Sequence, residues 1–184
     1  LTICVLDSTM LGLALPQMAR QWNIAPEQTL WVVNASQIAS LVLLLPLAAL
    51  GDRLGYKRVY LWGMLVFGLA SVLAALAPSL PWLIAARTLQ GMGMAGALCV
   101  NGALVRQIYP RAMLGRGMAL NSMVVALSYV MGPVLAAAVL SQLDWRWLFS
   151  LHLPLALWVC WLGLKALPQP HVVSQQGKLS WVDV

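Results

Sequence analysis

Apolar residues form six long runs along the chain, and short polar stretches separate them. A helix that crosses a bilayer needs about 20 apolar residues, and each run has roughly that length. The pattern therefore predicts an all-α membrane protein, a bundle of six transmembrane helices. The predicted spans are residues 1–18, 30–50, 59–77, 81–105, 118–140 and 147–167.

The polar breaks between the runs carry the turn formers, at residues 23–27, 51–58, 78–81, 110–117 and 141–146. A transmembrane β-barrel is excluded, because its strands would alternate apolar and polar residues over about 10 positions. The first run is not predicted to be a signal peptide, since it lacks an initiator Met and a basic region and five more runs follow. We expect the chain to begin inside or just before its first span.

The composition agrees with a membrane protein. Hydrophobic residues make up 61% of the 184 residues and charged residues 9%, whereas soluble domains have about 45–50% and about 25%. We expect residues 1–167 to form the bundle and residues 168–184 to form a cytoplasmic linker that approaches a further span.

Lysine and arginine fall mainly on one side of the predicted bundle. Breaks two and four and the tail carry Arg53, Lys57, Arg58, Arg106, Arg111, Arg116, Lys165 and Lys178. The other side carries Arg20 and Arg146. Because cytoplasmic loops are enriched in Lys and Arg, the richer side and both chain ends are predicted to be cytoplasmic. The net charge of +6 then reflects topology and contact with anionic lipid rather than nucleic-acid binding.

The sequence offers no recognisable metal, cofactor or catalytic site. Cys4, Cys99 and Cys160 all lie in apolar runs without the spacing of zinc ligands, and His152 and His171 lie in different segments. No set of nucleophile, base and orienting acid can be assembled, so we do not predict an enzyme.

Two ionisable residues within the spans, Asp7 and Arg87, are the most informative feature, because such residues are costly in a bilayer and usually mark a function. At a helical rise of 1.5 Å per residue, Asp7 lies about 15 Å and Arg87 about 9 Å below the outer surface. A long Arg side chain spans that difference, which favours an ion pair. In the alternative, Arg87 reaches the interface or binds backbone carbonyls.

Other polar residues repeat at helical spacing. The pairs are Asn34 and Gln37, Arg87 and Gln90, and Asn121 and Ser128. Each pair shares a helix face, which either lines a central cavity or forms hydrogen bonds between helices. Because two buried charges accompany these pairs, we favour the cavity. Glycines in Gly91-Met92-Gly93 and in Gly132-Pro133 predict a close approach between helices or a bend.

The second break reads Leu50-Gly51-Asp52-Arg53-Leu54-Gly55-Tyr56-Lys57-Arg58. Gly55 permits a tight turn between two spans, and the basic residues anchor the turn at the cytoplasmic face. Asp52 is either a solvated acid or a carboxylate that docks on a helix N-terminus or an Arg in one conformation.

This break resembles the cytoplasmic loop signature G-x-L-a-D-R-x-G-r-k-r of the major facilitator superfamily. Ala48 and Tyr56 depart from the signature. The matching residues are Leu50, Asp52, Arg53, Gly55, Lys57 and Arg58.

Four more stretches resemble family motifs in the family's order. Leu6-Asp7-Ser8-Thr9 and the following Ala14-Leu15-Pro16 resemble the first-span motif of fourteen-span drug:proton antiporters, with Gly12 where Asn is usual. Residues 87–93 resemble the fourth-span motif R-x-x-Q-G-x-G. Residues 128–137 resemble the fifth-span motif g-x-x-x-G-P-x-x-G-G and retain Gly132-Pro133. Residues 145–149 and Pro154 resemble the start of the sixth span, with His152 where Asn is common.

The resemblance implies an N-terminal six-helix half, built as an inverted 3+3 repeat, that needs a second half for alternating access. It implies proton-driven export of small amphipathic or cationic compounds, including drugs, across a bacterial inner membrane. In that role Asp7 binds and releases a proton and Arg87 tunes its affinity. The loop of Asp52 and Arg53 closes the inward-facing side against the missing half. The expected substrate and proton path comprises Asp7, Arg87, Gln90, Asn34, Gln37 and Asn121.

Two other functions stay open. One is a proton or sugar symporter of the same fold. The other is a non-transporting membrane receptor or assembly protein, which is disfavoured because a structural role would not require Asp7 and Arg87 inside the spans.

Overall fold

The computed structural model describes residues 2–166, and this part of the chain is all-helical, without a strand. The helices are α1 (Thr2–Trp22), α2 (Pro26–Leu54), α3 (Tyr56–Ala75), α4 (Leu80–Ile108), α5 (Leu114–Leu140) and α6 (Arg146–Ala166). All six are long and apolar enough to cross a membrane. The predicted six-span fold is confirmed. The predicted linker at residues 168–184 lies outside the described residues.

Most helices extend past the predicted apolar runs. The α1 helix continues to Trp22, α2 includes Asp52, and α4 continues to Ile108. The prediction followed the apolar stretch, whereas helical backbone hydrogen bonds continue through polar residues near the headgroups. Gly55 alone separates α2 from α3, with a φ of 92° that favours glycine. The tight turn is confirmed, and the longer break predicted there is wrong.

The α4 helix packs against both α2 and α3, while α5 packs against α1 and α6 against α3. When the first three helices are matched to the last three, the α1–α5 pair corresponds to the α4–α2 pair, as expected for a 3+3 repeat. The extensive contact between α3 and α4 has only a small counterpart between α6 and α1. Few residues of α2 and α5 are buried, so both helices present broad apolar faces to the outside of this six-helix unit.

Glycines allow α4 to approach its neighbours. A Cβ added at Gly91 would overlap the Ser36 carbonyl on α2. A Cβ at Gly93 would lie 2.6 Å from the Gly63 carbonyl oxygen on α3, which is too close for a carbon atom. The close approach predicted for this segment is confirmed, and it brings the polar side chains of α4 within reach of α2 and α3.

Gly91→Ala should therefore destabilise the bundle by about 1–3 kcal/mol, because α2 must move away from α4. Gly102→Ala is the matched control on the same helix, since a Cβ there meets nothing within 4 Å. Thermal unfolding of both variants in one detergent measures the difference. Equal melting temperatures would contradict the packing described here.

Candidate functional site

Asp7 and Arg87 form an ion pair inside the bundle. Nη1 of Arg87 donates to both carboxylate oxygens of Asp7, at 2.9 Å from Oδ1 and 2.8 Å from Oδ2. Each side chain is 1% exposed. The predicted pairing of α1 with α4 is confirmed. The alternative in which Arg87 reaches the membrane interface is wrong, because its guanidinium is buried. The alternative contact with a backbone carbonyl is present beside the ion pair.

Arg87 also binds α2. Its Nε donates to the carbonyl of Val32 at 3.2 Å, and its Nη2 donates to Oγ of Ser36 at 2.9 Å. The guanidinium carbon lies 5.7 Å from the ring centroid of Phe149 on α6, a cation–π contact. Asp7 thus contacts one nitrogen of Arg87, and the other two nitrogens hold α2.

Gln90 connects the ion pair to α3. Its Oε1 accepts a hydrogen bond from Nη1 of Arg87. Its Nε2 donates to Oδ1 of Asp7 at 3.2 Å and to Oγ of Ser71 on α3 at 2.8 Å. The expected association of Gln90 with Asp7 and Arg87 is therefore present. We call Asp7, Ser36, Ser71, Arg87 and Gln90 the polar cluster, which joins α1, α2, α3 and α4.

The other polar residues predicted for the path do not join the polar cluster. Asn34 and Gln37 are exposed on α2, and Asn121 is half-buried on α5. None of the three forms a hydrogen bond to another helix within residues 2–166. Ser128 is buried and donates to the Val124 carbonyl of its own helix. The interhelical hydrogen bonds considered for these residues are absent from this part of the chain, and their role in a path stays a prediction.

Asp52 lies in the last turn of α2, at the turn into α3. Its carboxylate accepts a hydrogen bond of 2.6 Å from the Tyr56 hydroxyl, across Gly55. Nζ of Lys57 donates to the Leu164 carbonyl on α6 at 2.9 Å. Within this six-helix unit, Asp52 therefore binds a tyrosine that departs from the family signature.

Arg53 and Arg58 are exposed beside that turn. Their charge is therefore accessible at the end of the bundle that carries Gly55. A role for this loop in closing the transporter stays a prediction.

Gly132 lies where α5 meets α1. A Cβ there would overlap Oγ1 of Thr9, two residues after Asp7. Pro133 lies within α5 and removes one backbone donor from the helix. The close approach predicted at Gly132-Pro133 is confirmed, and it brings α5 against the part of α1 that carries Asp7.

His152 on α6 is a third ionisable group beside the polar cluster, so the count of two ionisable residues in the spans is wrong. Its Nε2 lies 3.8 Å from Oδ1 of Asp7, and the residue is 3% exposed. The signal was present, since a histidine within an apolar run is unusual. The spacing of residues in the sequence, however, does not show that α6 lies beside α1. Ser36 and Ser71 were also missed, because single serines are common in membrane helices.

A groove of about 640 Å³ lies between α2, α3 and α4. Its lining is mostly apolar and includes Trp62, Met92 and Arg58. No residue of the polar cluster lines it, so the groove is separate from that cluster.

Comparison with known proteins gives relatives that include named transporters and a multidrug export protein. The chain is 45% identical over 168 residues to an uncharacterised transporter, YebQ, of Escherichia coli strain K12, covering 91% of this chain and 37% of YebQ. It is 29% identical over 173 residues to the riboflavin transporter RibZ of Clostridioides difficile strain 630, covering 94% and 38%. It is 28% identical over 178 residues to the multidrug export protein EmrB of Escherichia coli strain K12, covering 97% and 35%.

The chain spans about a third of the length of these relatives. The family model of the Major Facilitator Superfamily matches residues 1–181, nearly the whole chain. The six apolar helices agree with that match. The chain therefore belongs to the major facilitator superfamily, whose members are transporters rather than enzymes.

Proposed function

We propose that this chain is the N-terminal half of a proton-driven exporter of small amphipathic or cationic compounds, in the inner membrane of a bacterium. The observation that carries the proposal is the buried ion pair of Asp7 and Arg87 within the polar cluster. A carboxylate inside a membrane helix is costly and has a clear use as a proton carrier. The similarity to EmrB, which is named for multidrug export, supports the substrate class.

The proposed cycle begins with ionised Asp7 bound to Nη1 of Arg87. A proton that binds Asp7 removes its charge and weakens this contact, while Arg87 stays attached to Val32 and Ser36 on α2. The α1 helix then loses its ion pair with α4, so protonation changes helix packing. Proton binding at Asp7 thereby changes the packing of the helices that line the proposed substrate path. Proton and substrate binding are then coupled through the conformation of the bundle, as antiport requires.

The substrate path is proposed to lie between this unit and a second half that the chain does not contain. Asn34 and Gln37 are exposed on α2, near Ser36, whose hydroxyl accepts a hydrogen bond from Arg87. Asn121 is partly exposed on α5. We place these three side chains on the path. There they provide hydrogen bonds to a substrate without adding charge.

The similarity to RibZ favours a second candidate, transport of a flat heterocycle such as riboflavin. Cells that lack or overproduce the whole transporter distinguish the two, by susceptibility to a panel of cationic drugs, ethidium accumulation and riboflavin uptake. Export predicts lower ethidium accumulation and greater drug resistance on overproduction. Changed riboflavin uptake with unchanged drug susceptibility would support the second candidate instead.

The proposed orientation places the turn at Gly55 in the cytoplasm. Single cysteines introduced at Glu27 and Asp144, in a background without the native cysteines, should react with an impermeant thiol reagent added outside intact cells. Cysteines at Tyr56 and Ala112 should react only after the membrane is opened. The reverse labelling pattern would contradict the orientation and the assignment of both chain ends to the cytoplasm.

The last turn of α2 is proposed to hold the inward-facing side closed through the charge of Asp52. Asp52→Asn keeps the shape and removes the charge, so transport should fall about tenfold or more, since a hydrogen bond to a charged group contributes about 1.5–3 kcal/mol. Expression and substrate binding should change little.

Tyr56→Phe is the matched control for this loop. It removes the hydrogen bond between Tyr56 and Asp52 but keeps the charge, so most transport should remain. Wild-type flux in Asp52→Asn would return Asp52 to the role of a solvated acid.

A further inference from the structure

His152 lies in a buried pocket between α1, α3 and α6. Its Nε2 is 3.8 Å from Oδ1 of Asp7, which is too long for a hydrogen bond. Its Nδ1 is buried and forms no hydrogen bond of acceptable geometry with any residue in the described range. The backbone of Leu148, one helical turn earlier on α6, lies beside the ring. Nδ1 is thus buried without a proper partner, and Nε2 lies beyond hydrogen-bond distance of Asp7.

A neutral imidazole does not satisfy this pocket, because it has one N–H group and one lone pair. If Nδ1 carries the hydrogen, the lone pair of Nε2 faces the carboxylate of Asp7. If Nε2 carries it, the lone pair of the buried Nδ1 has no donor. One added proton leaves no lone pair on either nitrogen, so neither is an unpaired acceptor: the Nε2–H then faces the carboxylate of Asp7, and the Nδ1–H lies beside the backbone of Leu148.

The charged groups around the ring are few. On α1 the facing group is Asp7, and on α4 it is Arg87, whose Nη1 already binds both oxygens of Asp7. On α3 the packed group is the uncharged ring of Phe67, edge-on with centroids 5.9 Å apart. A protonated His152 would therefore compete with Arg87 for the one carboxylate in the pocket.

We propose that His152 is a second proton-binding residue of the transport site, and this rests on the proposed proton coupling. An incoming proton forms a bond with the lone pair of Nε2, and the new N–H donates to Oδ1 of Asp7. The carboxylate is drawn from Arg87 toward α6, which weakens the link between α1 and α4. On release the N–H bond breaks, the proton passes to water and a neutral imidazole remains.

His152→Asn tests the role, because asparagine is polar, binds no proton near neutral pH and is common at this place of the family motif. The whole transporter is reconstituted in proteoliposomes, and ethidium flux driven by a fixed pH gradient is measured from mildly acidic to mildly alkaline pH. The variant should lose one of the steps in the wild-type pH profile. A profile identical to that of the wild type would overturn the proposal. His171→Asn is the control for removal of an imidazole, and His152→Gln replaces His152→Asn if the latter does not fold.

A second measurement does not depend on transport. Imidazole signals of protein labelled with nitrogen-15 histidine are followed against pH in wild type and Asp7→Asn, with His152 assigned from the variant that lacks it. We expect His152 to gain a proton within the profile range and its midpoint to change in Asp7→Asn. A ring that stays neutral throughout would overturn the proposal. Absence of gradient-driven flux in the wild type would refute the proposed function, and this titration would still decide the role of His152.

Discussion

Asp7→Asn should abolish substrate movement driven by a pH gradient and leave exchange of substrate for substrate active. Asparagine has the shape of a protonated aspartic acid but releases no proton, so the variant stays in one charge state of the cycle. Exchange survives because the substrate can bind on one side and leave on the other without release of a proton. Ethidium flux in proteoliposomes, measured with a pH gradient and then with ethidium on both sides, separates the two activities.

Asp144→Asn is the matched control, since it removes an exposed carboxylate from the connection between α5 and α6. Gradient-driven flux should persist in this variant. Undiminished gradient-driven flux in Asp7→Asn would rule out Asp7 as the proton carrier. Loss of exchange as well would place Asp7 in substrate binding rather than in coupling alone.

Arg87→Leu should destabilise the bundle by about 3–5 kcal/mol, because removal of one partner leaves a buried, unpaired charge on Asp7. Gln90 would be the remaining donor to that carboxylate among the described polar-cluster contacts. Adding Asp7→Asn should recover most of the lost stability, since a neutral amide needs no cation. Thermal unfolding of the wild type, the two single variants and the double variant in one detergent measures this coupling.

Arg146→Leu is the control for loss of an arginine. Its Nη2 donates to the Ala77 carbonyl at 3.2 Å and its guanidinium packs over Trp145, so a smaller loss is expected. Strictly additive losses for Asp7→Asn and Arg87→Leu would contradict an energetic coupling between the two residues.

The fold was largely predictable from the sequence, because the apolar run of a spanning helix is set by the thickness of the bilayer. The ends of the helices were not, since polar residues such as Asp52 continue α2 beyond its apolar stretch. Gly55 was readable as a turn because glycine tolerates a positive φ. That it is the single residue between α2 and α3 was not readable, because the polar residues around it predicted a longer break.

The ion pair was predictable because depth along a helix follows from residue count. The depths expected for Asp7 and Arg87 differ by less than the length of one arginine side chain. The partners of the ion pair were not predictable, because depth does not say which helices are neighbours. Ser36 enters the site since Gly91 lets α2 approach α4, and His152 enters since α6 packs beside α1 and α3.

The sequence also did not show whether the polar face of a lightly buried helix points into the bundle or away from it. Asn34 and Gln37 share a face as predicted, yet that face is exposed in this unit. Helical spacing shows which residues lie together, and packing alone shows what they face.

In the proposed mechanism, Asp7 and Arg87 couple substrate export to proton entry. Its most direct test is the direction of net ethidium flux in proteoliposomes containing the whole transporter, under pH gradients of opposite sign. Antiport predicts that ethidium moves opposite to the proton gradient, and that reversing the gradient reverses the flux. Ethidium that moves with the protons would show symport, and a flux indifferent to the gradient would contradict proton coupling itself.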